Sequence, residues 1–310
     1  MTTADILIIG DRTDPHVQDV LTRLDAGRAT VVDAATVADI DYLLTEDQLE
    51  LRDGAKTFSS GTSRGWVRRL APADWSHGHP AGSRQAAAQA ATISFLAGVA
   101  RVQGIHWLTH IDPLLIGESK LVQIQAARKM GLRTPRTVVT GNRDHAERAL
   151  GSRVVIKPLG PGHFSTDDGV GAVVYATAVD LRDSEYADLG PTPFLIQEQI
   201  PAKRHLRVVT VNDNCWVAEL NADGRPMDWR EQDAAHQSFQ IPQGDYRGVR
   251  TSATSLALNL GLGYSSQDWI LTPDDVEVLL DVNPAGQWLF LPESLGSEVS
   301  QAIATWLSER

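Results

Sequence analysis

The residues best suited to chemistry lie near the C-terminal end. Gly263-Tyr264-Ser265-Ser266-Gln267-Asp268-Trp269-Ile270-Leu271 and residues 276–283 read as two apolar strands joined by the polar Thr272-Pro273-Asp274-Asp275. A four-residue loop would pair Leu271 with Val276 and set Asp268 opposite Leu279. Side chains alternate along a strand with period two, so Leu279, Asp281 and Asn283 are expected on one face. Asp268, Asp281 and Asn283 would then gather on one face of one hairpin. Three hard oxygen donors on a rigid platform suit a magnesium ion that keeps some of its waters for phosphate oxygens. The same spacing also describes a hairpin whose polar face is merely solvated, so the rest of the chain has to decide.

Three other stretches carry charge where a phosphate could use it. Arg153-Val154-Val155-Ile156-Lys157-Pro158 is an apolar strand ending in a lysine, and Pro158 stops its ladder. A glycine-rich loop follows over residues 159–171, and glycines let backbone N–H groups approach phosphate oxygens closely. An ordinary hairpin loop beside a snorkelling lysine has the same composition. Phe194-Leu195-Ile196-Gln197-Glu198-Gln199-Ile200-Pro201 is a strand that turns polar at its end, where backbone groups can meet an adenine edge. His205-Leu206-Arg207-Val208-Val209 alternates, which puts Arg207 and His205 on one polar side. An arginine aimed at a phosphoryl group stabilises developing charge. Arg207 equally suits an ion pair with Glu219 or Asp268.

The elements that must hold these residues follow from periodicity. Residues 4–10 form a continuous apolar run ending in Gly10, residues 17–24 have helical spacing, and residues 29–32 form a second short strand. This β-α-β start predicts an α/β unit. It lacks the Gly-x-Gly-x-x-Gly turn, which leaves a dinucleotide site there unsupported. Residues 65–70 read as a strand, 85–101 as a helix, 107–109 as a strand and 118–130 as a helix stopped by Gly131. Strands then dominate over 136–140, 153–157, 171–177, 194–200, 205–211 and 216–220. Helices are expected at 144–150, 249–260 and 298–306. The second part therefore predicts α+β packing, with a domain boundary near residues 108–113.

Composition sets the outer limits. The chain has 310 residues, 42% hydrophobic and 22% charged, which allows two or three modest domains with a sizeable core. A net charge of −11 argues against nucleic acid or an anionic membrane surface as a general partner. Cys215 is the single cysteine, so no internal disulfide forms and a reducing cytoplasm fits. In the apolar run Cys215-Trp216-Val217-Ala218 it reads as a buried, inert thiol. The N-terminus carries no signal-peptide pattern, and residues 86–102 are too short and too polar to span a bilayer.

Three motifs invite functions that their surroundings do not support. Gly61-Thr62-Ser63-Arg64-Gly65 matches a nucleophile elbow, but a strand-like run follows the serine where a helix is required. His77-Gly78-His79 has no further metal ligands at suitable spacing, so a solvated loop is expected. Arg68-Arg69 suits an acidic partner, although a pair of surface arginines is the plainer expectation.

Taken in order, short segments of the chain resemble the ATP-grasp ligases, and among them the microviridin-type (graspetide) maturases that cyclise ribosomally made peptides. The resemblance rests on Ser119-Lys120-Leu121-Val122-Gln123, Gly131 to Thr137, Val155-Ile156-Lys157-Pro158, Gln197-Glu198-Gln199-Ile200, Leu206-Arg207-Val208, Met227-Asp228-Trp229-Arg230, Gln267-Asp268-Trp269 and Asp281-Val282-Asn283-Pro284-Ala285-Gly286-Gln287-Trp288. These cover about residues 105–293. The last, ending Asn-Pro-x-Gly-Gln-Trp, speaks most for the maturases.

The resemblance implies an ATP-grasp fold with an N-terminal α/β pre-ATP-grasp domain over residues 1–112. An ATP-grasp domain would follow over 113–310, split into a central lid part (113–198) and a metal-binding part (199–310). It implies that Lys120 and Lys157 hold ATP phosphates, and that Gln197, Glu198 and Ile200 contact adenine, largely through backbone. Arg207 would face the γ-phosphate and the acyl phosphate, Arg230 the peptide substrate, and Asp268, Asp281 and Asn283 magnesium. Relatives often carry Glu where Asp281 stands, and Asp where His205 stands. The first departure changes how metal is chelated, the second the ribose contacts or the positioning of Arg207.

The implied activity is ATP-dependent ligation of Asp or Glu side chains to Ser, Thr or Lys side chains of a precursor peptide with a leader segment. The implied enzyme is cytoplasmic, acts without nucleic acid or membrane, and is compatible with a homodimer. The alternative is a ligase joining an amino acid to a small-molecule or protein-tail carboxylate. A degenerate nucleotide-binding module is disfavoured by the intact Lys157, Arg207, Asp268, Asp281 and Asn283, and a hydrolase at Ser63 by its flanks.

Overall fold

The computed structural model describes residues 2–61, 63–71, 75, 79–80, 82–160, 163–165, 171–173, 175–186 and 193–309. The expectations placed on His77 and Gly78, and on most of the glycine-rich loop after Gly160, fall outside the described residues.

The first apolar run is divided between two sheets. Thr2–Ala4 (β1) and Ile6–Ile9 (β2) separate at Asp5, whose backbone N–H donates to the Arg28 carbonyl. All four residues of β2 are wholly buried, as a central parallel strand requires. Pro15–Leu21 (α1) starts where Asp14 accepts from the His16 N–H and Pro15 occupies the first turn. Ala29–Val32 (β3) follows, then Asp41–Leu44 (β4), Leu49–Asp53 (β5), Lys56–Ser59 (β6) and Ser63–Val67 (β7). Arg84–Val99 (α2) is capped by Ser83. Ile105–Trp107 (β8) completes an all-parallel sheet ordered β3-β2-β7-β8, while β1, β6, β5 and β4 form a second sheet.

The break in pattern at residues 108–113 is occupied by a helix that periodicity did not reveal. His110 caps Ile111–Gly117 (α3), and Pro113 sits in its first turn, where no N–H is missed. Lys120–Lys129 (α4) follows. Then come Thr137–Thr140 (β9), Arg143–Leu150 (α5), Arg153–Pro158 (β10), His163–Ser165 (β11), Gly171–Val173 (β12), Thr177–Asp180 (β13) and Phe194–Glu198 (β14). An antiparallel sheet β13-β10-β14-β9 carries a small core of its own from Ala146, Leu150, Val154, Leu181 and Ile196.

Arg204–Val211 (β15), Asn214–Asn221 (β16), Arg247–Asn259 (α6), Tyr264–Leu271 (β17), Glu277–Asn283 (β18) and Glu293–Ser308 (α7) complete the chain. The last antiparallel sheet runs β16-β15-β17-β18. One face packs Leu206, Val208 and Trp269 against α4 and α6. The other buries Val209, Val211 and Tyr264 against β2, α1 and α7. That second face also carries Arg207 and Asp268, farther along the same strands, toward the cleft. Among the described residues no helix is long and apolar enough to cross a membrane.

The hairpin register differs from the expected one. Leu271 pairs with Glu277, not Val276, because the turn has five residues and places Asp275 in the left-handed region at φ 58°. Thr272 N–H and Val276 C=O close that turn at 3.0 Å. A bulge then absorbs Leu280: Trp269 pairs with Leu279, whereas Asp268 pairs with Asp281. The extra residue resets the alternation. Leu279 thus joins the core with Val282, and does not share the face of Asp281.

Candidate active site

Strand pairing aligns three charged residues across the last sheet. Arg207 on β15 pairs with Asp268 on β17, and Asp268 pairs with Asp281 on β18. Directly opposed like charges on neighbouring strands repel. Here cations flank both acids. Arg207 Nη1 lies 3.3 Å from Asp268 Oδ1 and donates to Ser266 Oγ at 3.1 Å. Lys120, the first residue of α4, donates to both Asp281 oxygens at 3.0 and 2.9 Å. Of the two partners open to Arg207, Asp268 is the one it has. Glu219 instead accepts from the Tyr246 hydroxyl.

These residues border a cleft of about 1250 Å³ between the β13-β10-β14-β9 sheet and the last sheet. Lys157 enters from the end of β10 and makes no ion pair among the described residues. Burial lowers its ammonium pKa, the acids Asp281 and Asp268 work against that, and Lys120 and Arg230 add to it. Arg207 lies just behind the lining, 8% exposed, with its guanidinium 5.2 Å from the Phe290 ring centre. Among the described residues its buried Nε has no hydrogen-bond partner.

The strand-end residues take different positions. Gln197 is buried and donates its amide N–H to Thr137 Oγ1 at 3.0 Å. Glu198 is held by Arg136, whose backbone N–H and Nε reach its two oxygens at 2.9 and 2.7 Å. Both side chains are thus engaged. The ladder ends at Glu198, and Ile200 lies beyond it on the cleft wall. Asn283 faces the cleft, and its Oδ1 accepts from the Ala285 N–H at 3.0 Å. His205 is buried in the wall beside Ile270. Burial lowers its pKa, with Asp268 and Asp228 opposing that and Arg225 reinforcing it.

The donor set can be tested against magnesium. Among the described residues no group of three or more His, Cys, Asp or Glu side chains converges, which leaves two carboxylates and the Asn283 amide oxygen. An all-oxygen set with few protein ligands fits magnesium, which binds through one or two carboxylates and retains water and phosphate ligands. It does not fit a closed zinc site.

Sequence reading missed two groups of residues. Asp228 grips Arg230: Nε donates to Asp228 Oδ1 at 2.7 Å, and Nη2 donates to Oδ2. The Asp-x-Arg spacing was its only signal. The second group is a buried joint. Arg68 is 2% exposed, so it is not a surface arginine. Its Nε donates to Asp14 at 3.1 Å and its Nη1 to the carbonyls of Ala285 and Gly286. Trp288 is wholly buried, its ring N–H donating to Ser300 Oγ at 2.8 Å and its backbone N–H to His16 Nε2 at 3.2 Å. Gly286 has no alternative, since a Cβ there would stand 2.4 Å from that of Ser266. The segment after Asn283 is thus mainly a docking strut. The paired Asp14-Pro15 helix start was the one trace of this joint in the sequence. Ser63 opens strand β7 and donates to the Ser59 carbonyl at 3.2 Å, not the strand-to-helix turn of a nucleophile elbow.

No family model matches the chain, and no curated protein matches it. Solved structures do. The macrocyclase MdnC of Microcystis aeruginosa, bound with precursor peptide MdnA, superposes with a TM-score of 0.80 at 23% identity, covering 98% of this chain and 99% of that one. A peptide-associated ATP-grasp ligase of Chryseobacterium gregarium, in complex with ADP and a leader and core peptide, gives 0.82 at 23% identity over 99% and 96%. A RimK-domain ATP-grasp protein of Sphaerobacter thermophilus gives 0.62 at 16% identity over 99% and 100%. Together with the cleft between two antiparallel sheets, these likenesses establish that the chain has the ATP-grasp fold.

Proposed function

We propose that this protein is an ATP-dependent, ADP-forming ligase that forms macrocyclic ester or amide links between side chains of a ribosomally made precursor peptide. The observation that carries the reading is the Arg207–Asp268–Asp281 row, with Lys120, Lys157 and Arg230 facing the same cleft. A carboxylate is a poor electrophile. Its oxygen attacks the γ-phosphorus, ADP leaves, and the resulting acyl phosphate is attacked by a hydroxyl or amine with loss of phosphate. Such transfers need positioning and charge stabilisation more than covalent machinery.

The roles divide by place. Lys120 and Lys157 hold phosphate oxygens, and the backbone beyond Glu198 to Ile200 borders the adenine, with Gln197 fixing the strand end. Arg207 stabilises the transferring phosphoryl group, and Arg230 faces the peptide. Asp268, Asp281 and Asn283 hold magnesium, which when bound would neutralise phosphate charge. Lys120 donates to both Asp281 oxygens, so a magnesium ion held there would share that carboxylate with the lysine. The named complexes support the peptide reading: MdnC is bound with precursor peptide MdnA, and a related ligase, PsnB, is complexed with a minimal precursor, Mg and ADP. The peptide-bound relatives superpose over nearly the whole of this chain with TM-scores of 0.80 and 0.82, which supports it over amino-acid addition to a small molecule or protein tail.

The test is mass spectrometry of short candidate precursor peptides drawn from the neighbouring genes and co-expressed with the enzyme. Loss of one water per ring is expected. Gain of an amino-acid mass would replace the reading with the alternative ligase, and an unchanged peptide would sink the macrocyclase reading.

A further inference from the structure

Asp228 stands where the two walls of the cleft meet, and four donors converge on it. Its Oδ2 accepts from the Ala176 N–H at 3.0 Å and from Arg230 Nη2. Its Oδ1 accepts from Arg230 Nε at 2.7 Å and from the Arg230 N–H at 3.2 Å. The residue is 6% exposed. Burial by itself would raise this carboxyl; the Arg230 guanidinium and the N–H donors of Ala176 and Arg230 hold it below the usual carboxylate range. It therefore stays charged at neutral pH and holds both sets of donors together.

The two sides of Asp228 belong to different parts of the chain, one at the edge of the β13-β10-β14-β9 sheet and the other in a turn after β16. Ala176 immediately precedes β13, whose last pair with β10 is Ile156 with Thr177. One step further, Ala176 lies in line with Lys157. Arg230 sits in a 3-10 turn, residues Trp229–Glu231, anchored by Trp229 in the core beside Phe239 and Phe290. Among the described residues, the bond from Ala176 is the one hydrogen bond found between residues 137–198 and residues 204–309. The strand end that carries Lys157 and the carboxylate that grips Arg230 are thus connected through Ala176.

We infer that Asp228 is a positioning residue that makes the aim of Arg230 depend on nucleotide engagement at Lys157. This rests on the reading of the cleft as a nucleotide and peptide site. It goes beyond that reading by coupling the two halves: peptide-facing charge is set in place when phosphate holds the β10 end. A carboxylate is needed because a bidentate grip on a guanidinium fixes orientation as well as position.

Hydrogen exchange followed by mass spectrometry, with magnesium and AMPPNP as the probe, tests this without knowledge of the peptide. In the wild type, saturation should slow exchange over residues 222–232 by about fivefold or more, the scale of an ordinary coupling between sites. Asp228→Ala should bind AMPPNP within about threefold of wild type, yet show no slowing in that segment. Asp228→Asn keeps an acceptor oxygen and the side-chain shape; it should retain slow exchange at Ala176 and lose the response at residues 229–231. A segment that slows in both variants as in wild type overturns the inference. So does a wild-type segment that ignores bound nucleotide. A wild type that binds no AMPPNP overturns the functional reading itself.

Discussion

Two clusters of charge sit on the same face of the last sheet, and their chemistry differs in one respect. At the buried joint, Asp14, His16 and Arg68 meet the segment 285–288, and the donors find acceptors: Arg68 on Asp14 and two carbonyls, Trp288 N–H on His16 Nε2. His16 Nδ1 lies 2.9 Å from Asp14 Oδ1 and 3.4 Å from Arg68 Nη2. In the cleft, Asp268 and Asp281 oppose each other, and among the described residues Lys157 has no ion pair and the buried Arg207 Nε has no partner. A satisfied network holds two parts of a fold together. An unsatisfied one retains electrostatic capacity for a ligand, since buried polar groups otherwise find partners. The arginines make the contrast plain. Arg68 has carboxylate and carbonyl acceptors and a structural role, while Arg207, also buried, has an Nε donor beside the cleft with no partner among the described residues.

That contrast can be broken at either cluster. Asp281→Ala should lower carboxylate-dependent ADP formation on the order of a thousandfold, while changing stability by less than about 1 kcal/mol because the pair with Lys120 is partly exposed. Unchanged turnover would remove the metal assignment. Arg68→Ala should do the reverse. It strands Asp14 in the joint and should cost about 3–5 kcal/mol in urea unfolding. A cost under about 1 kcal/mol would show that the joint is not what holds segment 285–288.

The joint also predicts a pH response. Burial would raise the Asp14 carboxyl, but the His16 hydrogen bond and the Arg68 charge hold it far below the usual range. Its contribution is complete above the unfolded value of about 3.9 and is lost as pH falls toward the folded one. Wild type should therefore lose about 1–2 kcal/mol more than Asp14→Asn between about pH 5 and pH 2, read from urea midpoints. Parallel acid limbs would contradict the assignment.

Two smaller effects sharpen the same line. Ser63→Ala should leave turnover within about twofold, since among the described residues its hydroxyl serves only the Ser59 carbonyl. Loss of activity in a folded variant would revive a nucleophile there. Cys215 should react with a thiol reagent far more slowly in the native than in the unfolded protein. Burial pushes its thiol up to about 11, so that thiolate is about one part in a thousand at pH 8. Equal rates would place it in an open site.

Much of the cleft was legible in the sequence because it is built from strand ends, where local pattern decides position. The apolar run before Lys157 predicted a strand ending in that lysine, and the alternation through Arg207 predicted a strand with His205 and Arg207 on one face; β10 and β15 are those strands. Helix α3 was not legible, since its seven residues are too few to show a period and Pro113 reads as a breaker. The hairpin register was misread by one residue at the turn and by two at Asp268. A turn with Asp275 at positive φ and a bulge at Leu280 are set by packing on α4, where the Gln123 side chain accepts from the Val282 N–H at 3.0 Å. Nothing in the alternation of Val278 to Asn283 announces them.

The sequence by itself determined the chemical inventory: which strands end in lysine, which carry arginine, and where two acids and an amide share a hairpin. These follow from propensity and period-two alternation, which act over a few residues. Only the tertiary structure decided which charges hold the fold and which face a ligand. Arg68 finds Asp14 across 54 residues and the Ala285 carbonyl across 217. Whether a charge is satisfied depends on those distant partners, because the cost of burying it is set by every group around it and not by its neighbours in the chain.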